Sequence, residues 1–398
     1  MIPSHFVWLE VMPVNPAGKI DRRALPSPQW EAEGHPAGGA PPRDAWERRL
    51  AGIWEEVLRC PVGRDDNFFA LGGQSLAAIR LMAHMEAAFG CQLPLSLLFE
   101  RPTVAELAEH LRETGSGESW SPLVVLRAQG NRRPFFCVHG GGGNVLHYYA
   151  LAKELGADQP FYALQAVGLD GSATPLRTVE EMATLYLENI RRVQPTGPYR
   201  LGGHSLGGQI AFEMARQLTR GGEPVECLVV MDTYCPGGKA DTGQTAWDDA
   251  RWMENLVEMV ESFLGCQLGI HPDQLSPLTL REQLERVHAR LSAAGAFPPG
   301  TGIAALEGLF AVFRANNLLE YAPEGVDCRL PVPITLLRGL DSSPSGVAER
   351  LHSDPLWGWG AFSTLPVDLR FVPGDHIGMM TAPQVSALSA EVRDLLAE

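Results

Sequence analysis

At 398 residues, 45% hydrophobic and 20% charged, the chain is too long for one ordinary domain and has the make-up of a globular protein. A formal net charge of −15 argues against nucleic acid or an anionic membrane as partner, because both reward clustered Lys and Arg. Seven scattered cysteines (60, 91, 137, 227, 235, 266 and 328) without a C-x-x-C pair point to a reduced, cytoplasmic, metal-free chain, and neither a secretory leader nor a run of about 18 apolar residues is present.

Two stretches, 26–42 and 114–121, combine Pro, Gly and Ser with no apolar periodicity and read as linkers. Between them the spacing predicts a bundle of three or four helices. Asp44 caps a helix over 44–58 with Trp46, Leu50, Ile53, Trp54, Val57 and Leu58 on one face, and 75–89 and 103–112 repeat the pattern. From 123 onward, short apolar runs alternate with helical segments, which predicts a mostly parallel sheet flanked by helices. Strands are expected at 134–139, 160–166, 199–203, 225–232, 334–340 and 367–373, with helices at 177–194 and 206–220, the latter stopped by Gly221 and Gly222. Residues 237–330 interrupt that alternation with helical patterns at 246–264, 279–291 and 304–322, and are expected to form an inserted lid that controls the entry of water and of larger partners to a site beneath it.

Ser205 centres a G-x-S-x-G turn, Gly203-His204-Ser205-Leu206-Gly207, after a predicted strand and before a helix. A serine hydroxyl is a weak nucleophile, so acyl transfer needs a base, an acid to orient it, and donors for the oxyanion. His376, just past the last predicted strand, is the candidate base; Asp232, ending a strand, is the candidate acid, with Asp341 as the alternative. The N–H of Leu206 and that of Gly141, in the run His139-Gly140-Gly141-Gly142-Gly143, are the expected oxyanion donors. His139 and His204 are read as local packing or hydrogen-bonding groups and Asp375 as structural. The chain order Ser, Asp, His predicts an α/β-hydrolase domain.

Ser75 sits in Leu71-Gly72-Gly73-Gln74-Ser75-Leu76 at a predicted helix start, where free N–H groups and the helix dipole favour a phosphate ester; by itself this is also an N-cap serine. The segment Asp66-Asn67-Phe68-Phe69-Ala70-Leu71-Gly72-Gly73-Gln74-Ser75-Leu76, with Phe99, Pro102, Thr103 and Val104, resembles acyl and peptidyl carrier domains. That resemblance implies 4′-phosphopantetheine on Ser75, attached by a phosphopantetheinyl transferase; Gln74 departs from the more usual His or Asp. Residues 6–25, with Asn15-Pro16-Ala17-Gly18-Lys19-Ile20-Asp21-Arg22, resemble the end of an adenylation domain and imply an inactive remnant preceded by upstream synthetase domains. Residues 123–398 resemble the type I thioesterases of nonribosomal peptide synthetases, although His139-Gly140-Gly141-Gly142-Gly143 departs from the commoner His-Pro-x-Gly form.

The resemblances divide the chain into a remnant at 1–28, a linker at 29–43, a carrier at 44–113, a linker at 114–121 and a thioesterase at 122–398. They imply release of a thioester-bound peptide by hydrolysis or cyclisation; a free-standing esterase and a catalytically inactive scaffold are the alternatives. A linker over 114–121 spans at most about 29 Å, which keeps carrier and thioesterase at high effective concentration.

Overall fold

The computed structural model describes residues 40–397 apart from 74, 90–95, 115–120, 242, 265–266, 295–302 and 326–327. The Lys19 motif and Gln74 lie outside the described residues.

Four helices form first: α1 (Ala45–Leu58), α2 (Ser75–Phe89), α3 (Ser96–Glu100) and α4 (Val104–Thr114). Asp44 caps α1 by accepting the Glu47 N–H at 2.9 Å. Glu47 is fully buried, and the Arg64 guanidinium at 3.0 Å holds its carboxyl below the ordinary value. Leu50, Trp54, Phe68, Leu81 and Leu107 close a core that belongs to these helices alone. Before α2 the chain is shaped by Asn67, whose Oδ1 accepts from the N–H groups of Phe69 and Ala70.

The larger unit follows as β1 (Leu123–Arg127), β2 (Phe135–Val138), α5 (Tyr148–Glu154), β3 (Phe161–Leu164), α6 (Val179–Val193), β4 (Tyr199–His204), α7 (Leu206–Arg220) and β5 (Val225–Met231). An inserted helical group comes next: α8 (Asp249–Leu264), α9 (Pro272–Leu275), α10 (Leu280–Ala293) and α11 (Ala304–Leu318). β6 (Ile334–Gly339), β7 (Asp368–Val372) and α12 (Val385–Leu395) complete it.

The sheet order is β1-β3-β2-β4-β5-β6-β7; every pairing is parallel except that of the edge strand β1 with β3. Side chains alternate across the sheet: Phe136, Val138 and Leu201 pack on α6 and α7, while Phe135, Cys137 and Val229 pack on α5 and α12. This three-layer, right-handed alternation with a serine at the β4–α7 turn is the α/β-hydrolase fold. The insertion has its own core around Trp252, Met253, Leu275, Val287 and Phe310. No helix among the described residues is long and apolar enough to cross a membrane.

The carrier-like bundle rests on the α5 side of the sheet. Phe99 of α3 packs against the core shared by β1, α5 and α12, and Phe69 stacks on Tyr149 of α5 with ring centroids 4.2 Å apart.

Candidate active site

The turn from β4 into α7 is forced to be tight. A Cβ on Gly203 would lie 2.2 Å from the Gly207 carbonyl, and one on Gly207 would lie 2.2 Å from the Val138 carbonyl oxygen, so only glycine fits at either place. Ser205 between them has φ 58°, a conformation rare for a side-chain-bearing residue. Its N–H donates to the Met231 carbonyl at 3.0 Å, and its own carbonyl accepts from the Thr233 hydroxyl at 2.8 Å. The strained backbone is therefore held from β5, and the side chain reaches a cavity of about 660 Å³ lined also by Asp232, Lys239, Asn317, Asp341 and His376.

Asp232 follows β5, also at positive φ (48°), and is 5% exposed. Its Oδ1 accepts the Gly339 N–H at 2.9 Å, and its Oδ2 accepts both the Ser342 hydroxyl at 2.9 Å and His376 Nδ1–H at 2.7 Å. Burial pushes this carboxyl up, but His376, Gly339 and Ser342 together outweigh it and hold it below its ordinary value. With Nδ1 donating to the carboxylate, the free Nε2 of a neutral His376 is the ring's basic atom.

The loop that carries His376 is shaped from two sides. Asp375 Oδ1 accepts the N–H groups of Ile377 (3.2 Å) and Gly378 (2.7 Å), the structural part expected for it. His204 Nε2 donates to the His376 carbonyl at 2.7 Å, and the two rings lie 4.6 Å apart. Burial, with the neighbouring His376 and His147, holds His204 well below the ordinary imidazole value, so it serves here as a neutral donor. His139 is likewise neutral: burial lowers it to about 4, and it bridges the Gly140 carbonyl (2.7 Å) and the Tyr186 hydroxyl (2.8 Å). Asp341, the alternative acid, is exposed at the cavity wall, and its N–H donates to the Gly374 carbonyl.

Gly140 lies against the nucleophile turn; a Cβ there would be 3.6 Å from that of Ser205. Gly141 is next in that loop, and Leu206 is the first residue of α7, where a helix N–H has no intrahelical acceptor. Lys239 Nζ donates to the Asn317 and Leu319 carbonyls at 2.5 and 3.4 Å, and burial lowers its pKa. Ser342, Gly339 and Thr233 were not foreseen from the sequence: Ser342 is the neighbour of Asp341, and only the folded β6 turn brings it to Asp232.

Comparison with known proteins agrees with this architecture. The thioesterase domain family matches residues 133–395 and the phosphopantetheine attachment site family matches 48–111. Malpinin synthetase from Mortierella alpina is 39% identical over 321 residues, covering 79% of this chain and 4% of that protein. Chondramide synthase from Chondromyces crocatus is 34% identical over 400 residues, covering 99% of this chain and 10% of its own length. Among solved structures, holo-AB3403, a four-domain nonribosomal peptide synthetase bound to AMP and glycine, superposes with a TM-score of 0.62 at 30% identity, covering 99% of this chain and 29% of that one. The chain thus spans a small part of each of these relatives.

The attachment-site match makes 4′-phosphopantetheine the covalent group of the first domain. The local fold suits it. The 71–73 turn, with Gly72 at φ 91°, stands ahead of the 15-residue helix α2, whose first-turn N–H groups have no intrahelical acceptor and favour an anion at that end. By these matches the chain belongs to the thioesterase domain family, with a phosphopantetheine-bearing carrier domain ahead of the hydrolase.

Proposed function

We propose that the chain carries out the termination step of nonribosomal peptide synthesis, moving a peptidyl or aminoacyl group from the carrier at Ser75 to Ser205 and then releasing it. The observation that carries this reading is the 2.7 Å contact of His376 with Asp232 on a cavity that Ser205 also lines. The carrier's group presents the acyl chain as a thioester; every other step falls to residues of this chain.

His376 Nε2 takes the Ser205 hydroxyl proton as Oγ bonds to the thioester carbonyl carbon. The N–H groups of Leu206 and Gly141 receive the oxyanion. The C–S bond then breaks, and His376 returns the proton to the departing sulfur. Water, or an amine or hydroxyl within the peptide, gives its proton to His376 and attacks the Ser205 ester. That ester opens, and Ser205 recovers its proton. Asp232 holds the His376 tautomer and stabilises the imidazolium throughout. Residues 237–330 act as the lid over this cavity, upstream synthetase domains supply the peptide, and a phosphopantetheinyl transferase modifies Ser75.

Loading the chain with a synthetic peptidyl-pantetheine and weighing the product tests this reading. Release of the free acid, or of a product lighter by one water, supports it, the latter indicating ring closure. Equal turnover of a simple soluble ester would favour a free-standing esterase, and no turnover with no fluorophosphonate labelling of Ser205 would leave an inactive scaffold.

A further inference from the structure

Helix α11 of the insertion has two working faces. Leu306, Phe310 and Phe313 belong to the insertion's own core. Gly308, Val312 and Asn316, spaced four residues apart, lie on the opposite side and touch the loops around the nucleophile. A Cβ on Gly308 would be 2.5 Å from the Gly171 nitrogen, so the helix approaches the 168–171 turn as closely as backbone allows. A Cβ on Gly143 (φ 77°) would be 2.4 Å from Val312 Cγ1. Asn316 Nδ2 donates to the Gly141 carbonyl at 3.1 Å. Asn316 is 3% exposed and its Oδ1 has no partner, so this buried amide is used for its donor alone.

That one bond bears on the direction of a neighbouring N–H. Both peptides flanking the Gly141 Cα are trans, so in each the carbonyl and the N–H point opposite ways. The Gly140 carbonyl, which shares a peptide with the Gly141 N–H, is held by the Gly143 N–H at 3.0 Å and by His139 at 2.7 Å. The Gly141 carbonyl is held by Asn316. Glycine has the widest backbone freedom of any residue, and pinning the peptide on each side removes it at Gly141.

We infer that Asn316 is a positioning residue for the oxyanion hole: by holding the 141–142 peptide from the inserted helix while the Gly140 carbonyl is held on the other side, it fixes the backbone about the Gly141 Cα and so keeps the Gly141 N–H in place. The inference rests on the proposed function, in which that N–H receives the oxyanion. It also places α11 directly against the catalytic loop, and accounts for glycine at 143, where any side chain would strike Val312.

The test uses the whole chain carrying N316A or the isosteric N316D, with a pantetheine thioester as substrate and a trifluoromethyl ketone of the same acyl chain as inhibitor. The ketone's adduct with Ser205 carries an oxyanion, whereas the substrate's ground state does not. The expected result is a fall in kcat of about 10- to 100-fold, since misplacing a donor costs less than removing it. KM stays within about twofold, and ketone affinity falls in step with kcat. If N316A fails to fold, N316D carries the test. Unchanged kcat in folded N316D overturns the inference, as does a fall in kcat with ketone affinity intact, which marks a merely structural role. S205A run beside them separates the two readings: turnover surviving there overturns the serine mechanism and this inference with it. Turnover lost in S205A but intact in N316D overturns the inference alone.

Discussion

Ser342 donates its hydroxyl to Asp232 Oδ2 at 2.9 Å, the same oxygen that receives His376 Nδ1–H. A carboxylate serving two donors is held in one rotamer and kept ionised. Replacing Ser342 by Ala removes one donor, so the Asp232 pKa rises from its lowered value and activity is lost at a higher pH on the acid side. We expect kcat to fall about tenfold with KM unchanged, read from steady-state kinetics across pH.

Asp232 and Asp341 make opposite predictions. D232N leaves the ring orientation of His376 to a neutral amide and is expected to lower kcat by about 10⁴-fold, whereas D341N, on an exposed side chain at the cavity wall, stays within about twofold of the parent. Equal losses in the two variants would remove Asp232 from its role.

The stack of Phe69 on Tyr149 predicts a difference between presented and free substrates. An aromatic pair contributes about 0.5–1.5 kcal/mol beyond area burial, so Y149A should slow release from the chain's own carrier about 2- to 10-fold. A small soluble pantetheine thioester bypasses docking and should turn over at the parent rate. Single-turnover assays with both substrates decide it.

Stability should fall in mild acid because buried imidazoles stay neutral in the fold. Burial lowers His139 to about 4 and His147 to about 3, and lowers His204 as well, whereas in the unfolded chain each titrates near 6.5. The unfolded state therefore binds more protons below about pH 6.5, and stability drops as the pH falls from there toward 4. Each histidine contributes up to about 1.4 kcal/mol per pH unit in that window. Urea midpoints at pH 7 and pH 5 measure this, and H139Q should flatten the dependence.

How much was legible follows from how local each signal is. The helix over 206–220 was readable in full, because an amphipathic repeat lies between a glycine turn and Gly221. Ser205 and His376 were readable because each stands beside a strand end in a glycine-marked turn. β1 escaped because its five residues alternate on an antiparallel edge and lack the continuous apolar run of the inner strands. The helix α12 escaped a reading centred on strands, although Val385, Leu388 and Val392 keep a helical repeat. Ser342 and Asn316 carried no local signal at all. Their partners lie 110 and 175 residues away, and only the closed sheet and the docked insertion bring them together.

The central claim is that an acyl group carried on Ser75 leaves through Ser205. Loading the whole chain with a radiolabelled acyl-pantetheine and following the label by peptide mass spectrometry tests it directly. In the parent, label is expected to leave the Ser75 peptide and appear transiently on the Ser205 peptide; in S205A it should stay on Ser75. Discharge of Ser75 in S205A at the parent rate would contradict the account.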